Sequence, residues 1–313
     1  MSEKRFELVA RMHAQGLPVP DATTMQRLHD IVDEGVLGAS NHVALALPLI
    51  ARVADANRPT ALEEALELAR FIAETRGAGA PIVANALAWQ IEGVASLSAV
   101  DAVAMLQARE KTWGKAAAER RKTLIGKGAQ ALCQCRTPLI YDYSSTVADL
   151  VRALSTLGML ETIIIPESRA IDGGRRYMTA LSDLNVPVVF LPDAALEYAA
   201  SRSDAVLLGA ESVTLDGGIS NTVGSTLVAR AAQARGIPVY GVADLFKVGD
   251  RRADELPAPA LRRYDFLLQE GEGCSTEAPE LEIVPPALVT AILTEVGPVA
   301  PRDLAAALCY RAT

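Results

Sequence analysis

The chain has 313 residues, half of them hydrophobic and only 4% aromatic, with a formal net charge of −8. That length suffices for two domains or one large one, and so apolar a composition excludes a disordered chain. Scattered acidic residues argue against nucleic-acid binding through a broad basic surface, and no apolar run is long enough to span a membrane. The start, Met1 to Arg5, lacks an apolar signal core, which points to a cytoplasmic protein. Cys133 and Cys135 form C-x-C, Cys274 and Cys309 stand apart, and every histidine lies at or before His42. No metal site and no cofactor are expected from that distribution.

Residues up to about 130 read as helical almost throughout. Asp21 to Thr24 starts a helix carrying Met25, Leu28, Ile31 and Val32 on one face. Ser40 to Ala54 is apolar at helical spacing, and Ala61 to Ala73 carries another buried stripe. The segment Thr75 to Pro81, with Arg76, Gly77 and Ala78, breaks the pattern before Ile82 to Trp89 resumes it. Taken locally, it is a C-cap glycine beside a solvated arginine. Val100 to Leu132 reads as one or two further helices.

Near Arg136 the texture changes to alternating strands and helices. Pro138 to Tyr143 reads as a strand leading to the helix-start cluster Ser144, Ser145 and Thr146. Thr162 to Pro166 and Val186 to Leu191 read as further strands, with helices after Ser144, after Gly173-Gly174 and from Ala194 to Ser201. The most informative stretch is Ser203 to Lys247. Ala205 to Gly209 is a buried strand, Asp216 to Ser225 a glycine-marked turn, Thr226 to Arg235 a helix, and Ile237 to Val242 a second buried strand. This βαβ order requires a parallel sheet, and the fold class is α/β: an N-terminal helical domain (1–134) followed by a Rossmann-like doubly wound parallel sheet domain (135–313). Beyond Lys247 the chain is loop-like, notably from Gln269 to Pro279. Ala287 to Glu295 then reads as a helix begun by Pro285-Pro286, and Asp303 to Tyr310 as a last short one.

In such a sheet the strand tips Tyr141–Ser145, Glu167–Arg169, Asp193, Asp216–Ser225 and Asp244–Lys247 gather on one edge, where ligands bind. Gly217, Gly218 and Gly224 either cradle an anion against the next helix start or only make a tight turn. Arg169 beside Gly173-Gly174 suits bidentate phosphate binding. The convergence of these tips points to a small phosphorylated metabolite.

Several segments resemble the initiation factor 2B alpha/beta/delta superfamily, which also contains methylthioribose-1-phosphate isomerase and ribose-1,5-bisphosphate isomerase. They are Glu167-Ser168-Arg169 with Gly173-Gly174, Gly209-Ala210-Glu211 with Asp216 to Ser225, Ile237 to Tyr240, and Val284 to Gly297. Arg76-Gly77-Ala78 is similar to an element of the isomerase branch. The resemblance implies a helical domain followed by a Rossmann-like one, homodimers or higher homo-oligomers, and a phosphosugar site between the domains. It also implies a cysteine after the first strand and an aspartate in the glycine turn that serve aldose–ketose conversion. The cysteine position falls here on Asp142, the aspartate position on Gly218, and the lysine expected after Asn221 is Thr222.

Two readings follow. In the first the chain is an isomerase-like enzyme, with Asp142 as general base, its pKa raised by burial, and Asp216 as second carboxylate. Its binding residues are Arg76, Gly77, Ala78, Ser144, Ser145, Arg169, Gly217, Gly218, Asn221 and Lys247. In the second it is a non-catalytic sensor of sugar phosphates or nucleotides that acts through oligomer contacts. A structural scaffold is a third.

Overall fold

The computed structural model describes residues 2–33, 35, 38–264 and 275–311. Cys274, and the part of the loop-like stretch from Gln269 to Cys274, lie outside them. Two compact units are present, one ending at Glu119 and one running from Arg120 to Arg311.

The first unit is helical. It holds α1 (Glu3–Ala14), α2 (Ala22–Val32), α3 (Ala39–Ala54), α4 (Ala61–Thr75), α5 (Pro81–Ile91) and the start of α6 (Ala99–Ala131). Asp21 caps α2, its side chain accepting from Thr24 N at 2.7 Å. The apolar stripes of α3, α4 and α5 pack on one another around Leu47, Ile50, Leu68, Phe71, Ile72 and Leu87, all fully buried. The single helix α6 covers the whole Ala-, Arg- and Lys-rich stretch, and the division between the units falls inside it.

The second unit takes in the end of α6 and then alternates strand and helix: β1 (Pro138–Tyr141), α7 (Ser145–Thr156), β2 (Ile163–Pro166), α8 (Gly173–Ala180), β3 (Val188–Leu191), α9 (Leu196–Ser201) and β4 (Ala205–Gly209). After β4 come two short strands, β5 (Ser212–Val213) and β6 (Ile219–Thr222), then α10 (Ser225–Ala234) and β7 (Val239–Val242). The remainder is β8 (Leu261–Arg263), β9 (Glu277–Pro279), β10 (Leu281–Val284), β11 (Ala291–Thr294), β12 (Gly297–Val299) and α11 (Leu304–Ala307).

Seven strands form one sheet in the order β12-β11-β7-β4-β1-β2-β3, parallel throughout except for β12. Both faces are covered. Leu124, Leu132, Val147, Leu150, Val151, Leu154 and Tyr177 pack one side, and Leu196, Ala199, Val228, Ala229 and Ala232 the other. Burial on both faces is why β1, β2 and β4 read as continuous apolar runs. The chain leaves β1 toward β2 and β3, then returns to lay β4 on the opposite side of β1. The direction of winding therefore reverses between β1 and β4, and a doubly wound sheet opens its binding crevice beyond the carboxyl ends of the strands at that reversal.

Two segments depart from the sequence reading. Ala287–Glu295 is not a helix: a 3-10 turn at Pro286–Leu288 leads into β11, which pairs parallel with β7. Asp216–Ser225 is not a simple turn: β6 lies within it and pairs antiparallel with β10 and β5 in a separate small sheet.

Candidate functional site

The residue that leaves β1 is Asp142. Its φ is +57°, and Ser168 after β2 and Asp172 before α8 have φ of +47° and +56°. Among the described residues these are the non-glycine positions with positive φ, and all three lie at the same sheet edge. Each such backbone costs on the order of 1 kcal/mol and persists only where its surroundings impose it.

The Asp142 side chain turns inward, leaving the residue only 6% exposed. Its Oδ2 accepts from the Thr222 hydroxyl at 2.7 Å, and its Oδ1 from the Ser168 hydroxyl at 3.4 Å. Residues from three strand ends thus meet: Asp142 after β1, Ser168 after β2, and Thr222 closing β6. Burial pushes the Asp142 carboxyl above the ordinary range, against the hydrogen bonds from Thr222, Tyr143 N and Ser168 and the charge of Arg176. Gly173 makes room for it. A Cβ there would lie 2.1 Å from Asp142 Oδ1 and 2.8 Å from Tyr143 N, so no other residue fits at that helix start.

The neighbouring groups fix this tip. The Asp193 carboxylate accepts from Ser168 N at 3.0 Å and Arg169 N at 2.8 Å, holding the loop after β2. Arg169 itself is exposed. The Ser144 side chain caps α7 by accepting from Val147 N, while Ser144 N donates to the Tyr177 hydroxyl at 3.0 Å. Ser145 accepts from Arg121 at 3.3 Å. Lys247 reaches back to the Ala210 carbonyl.

The segment between β4 and α10 is held largely by its own hydrogen bonds. At the start of α10 two amides are taken, because Glu282 Oε1, on β10, accepts from both Gly224 N and Thr226 N at 2.8 Å. Gly217 N donates to the Thr214 carbonyl and Gly218 N to the Thr214 hydroxyl, so neither is open to a ligand. Asn221 is buried and donates to Ser225 at 3.0 Å. The Asp216 carboxylate, expected as a second catalytic group, is engaged within its own loop. It accepts from Thr214 at 2.6 Å and Ala253 N at 3.0 Å and pairs with Arg252 at 3.6 Å. Burial alone would raise its carboxyl, but those contacts hold it below its ordinary value.

In the helical unit, Arg76 caps α4 and its Nε donates to His42 Nδ1 at 2.8 Å. The His42 ring is fully buried and must carry its proton on Nε2, which fixes both side chains. Gly77 is the only residue that fits the turn, since a Cβ would lie 2.2 Å from the Ala73 carbonyl oxygen. Ala78 is exposed.

Cys135 is buried, its thiol pushed up to about 12 by burial, so it offers no thiolate. Among the described residues no three of His, Cys, Asp and Glu gather as a metal set. The structure therefore brings together Asp142, Ser168 and Thr222, of which the sequence singled out only the first. It also adds Glu282 and Arg176. Such an arrangement can hold a proton on a buried carboxyl next to hydroxyls that both donate and accept.

The comparisons with known proteins agree with this architecture. The model of the initiation factor 2 subunit family matches residues 40–301. A ribose 1,5-bisphosphate isomerase of Haloterrigena turkmenica is 26% identical over 297 residues, which is 90% of each chain. The alpha subunit of translation initiation factor eIF2B of Caenorhabditis elegans is 29% identical over 164 residues, 52% of this chain and 54% of that protein. In structure, the translation initiation factor eIF-2B of Pyrococcus horikoshii superposes with a TM-score of 0.74 at 20% identity, covering 91% of this chain and 100% of that one, a likeness of fold.

Proposed function

The chain belongs to the initiation factor 2 subunit family, and from that premise we propose that it binds a phosphorylated sugar at the Asp142 edge and interconverts its aldose and ketose forms. Its relatives include both sugar-phosphate isomerases and initiation-factor subunits. The observation that carries the catalytic reading is Asp142: a buried carboxyl, raised by that burial, at the point where the sheet reverses its winding. Aldose–ketose conversion moves a proton between adjacent carbons, and it asks for one base whose pKa lies near the working pH. On a sugar 1-phosphate the ring bond between C1 and O4 opens, Asp142 takes the proton from C2 and returns it to C1, and the C2 hydroxyl proton passes to the released O4 as the C2 carbonyl forms. Thr222 and Ser168 hold the carboxylate in place, and Arg169 faces solvent as a phosphate contact. Arg76, fixed by His42, is an anion contact within the helical unit.

A second reading is favoured by Gly218 at the position where the isomerases are expected to carry an aspartate, and by Glu282 on the start of α10. In it the protein binds the sugar phosphate and reports it without turnover. Incubation with ribose 1,5-bisphosphate and with 5-methylthioribose 1-phosphate, followed by NMR, separates the two. Turnover that falls about 10²- to 10⁴-fold in Asp142→Asn supports the enzyme. Thermal stabilisation by either compound without turnover supports the sensor, and neither effect removes the proposal.

A further inference from the structure

Two adjacent arginines in the first turn of α8 have different surroundings. Arg175 pairs with Asp172 at 3.1 Å. Arg176 is exposed, and its guanidinium carbon stands 4.3 Å over the centroid of the Tyr143 ring. Among the described residues its side chain makes no hydrogen bond and no ion pair. The ring beneath it is fixed in turn. Tyr143 packs on Tyr177 with centroids 5.2 Å apart, and Tyr177 is fully buried with its hydroxyl on Ser144 N.

Stacking on an aromatic face orients a guanidinium while using none of its N–H donors. Those donors lie in the guanidinium plane, directed outward in the fork that meets two oxygens of one anion. The charge of Arg176 reaches Asp142 and opposes the effect of burial on that carboxyl. The two groups nevertheless do not pair, because the Asp142 oxygens are taken by Thr222 and Ser168. A cation thus stands beside the buried carboxylate without being neutralised by it, on a platform that keeps its donors available.

We infer that Arg176 is an anion contact of the Asp142 site, gripping two phosphate oxygens of the ligand from the α8 side while Tyr143 holds its plane. This deepens the proposed function and rests on it. The adjacent Arg175, committed to Asp172, supplies the internal control.

The test is calorimetric titration of the full chain with ribose 1,5-bisphosphate, with unphosphorylated ribose as the blank. Arg176→Gln is expected to weaken binding ~10- to 100-fold, the range of one charge-assisted contact, with an unchanged melting temperature. Arg176→Lys keeps the charge but loses the fork and should fall between wild type and Arg176→Gln. Arg175→Gln should stay within about twofold, since its contact is an exposed pair. Binding by Arg176→Gln within twofold of wild type, or equal losses in the Arg175 and Arg176 variants, overturns the assignment while leaving the proposed function standing. No binding by wild type overturns both.

Discussion

Asp142 and Asp216 both belong to strand-end segments of the sheet unit, and each lies against glycines. Asp142 abuts Gly173, which begins α8, and Asp216 precedes Gly217-Gly218. The sequence offers little to tell them apart, but their partners do. Asp216 gathers a hydroxyl, a backbone amide and an arginine, and its carboxyl is held low. It closes a loop. Asp142 is buried with two hydroxyls and the Tyr143 amide as donors, on a backbone of positive φ, and its carboxyl is raised. A carboxylate that lowers the energy of the fold is matched by donors and cations. One held at a cost to the fold is a candidate for chemistry.

The contrast can be broken most forcefully at Gly173. An alanine there must displace either the Asp142 carboxyl or the Tyr143 backbone, both closer than any real Cβ contact. Gly173→Ala is expected to abolish sugar-phosphate binding and to lower stability by about 1–3 kcal/mol, the usual cost of overpacking. Denaturant melts read the second effect and calorimetry the first. A variant as stable as wild type with unaltered binding would show that the Asp142 tip has room to rearrange.

Glu282 tests the other side of the comparison, since two amides at the start of α10 are satisfied from within the protein. Glu282→Ala frees Gly224 N and Thr226 N and should cost about 0.5–2 kcal/mol, the range of a lost helix cap, read as a lower denaturant midpoint. An unchanged midpoint would mean that solvent caps this helix as well as Glu282 does.

This cap also shows where sequence reading stops. The strands β1, β2, β4 and β7 were legible because each is a short apolar run ending in a polar tip, and Asp142 was legible as one of those tips. The donors to Glu282 lie 56 and 58 residues away from it, and no local pattern encodes that pairing. For the same reason β6 passed as part of a turn: its partner β10 is distant in the chain, and the glycines around it suggested a loop. The helix expected at Ala287–Glu295 failed differently. Ala291 to Leu293 is an unbroken apolar run, and a run that short and fully buried fits a central strand as well as a helix. Ser168 and Thr222 were visible only as tip residues. Their convergence on Asp142 depends on the sheet order.

The smallest expected effect is the one that separates the two aspartates by sign. A carboxyl raised on folding contributes its stability below the ordinary carboxylate pKa, near 4, and loses it as pH climbs through the folded value. Asp142→Asn removes the buried charge, so its melting temperature should overtake that of wild type as pH rises from 4 to 8. A carboxyl lowered on folding does the reverse: Asp216 stabilises above the ordinary range and stops doing so as pH falls through its folded value. Asp216→Asn should therefore trail wild type at pH 7 and draw level as the pH drops toward 3. Parallel melting curves for the two variants across that range would mean that the two carboxyls occupy equivalent electrostatic surroundings, and the distinction between a loop closure and a site would lose its physical basis.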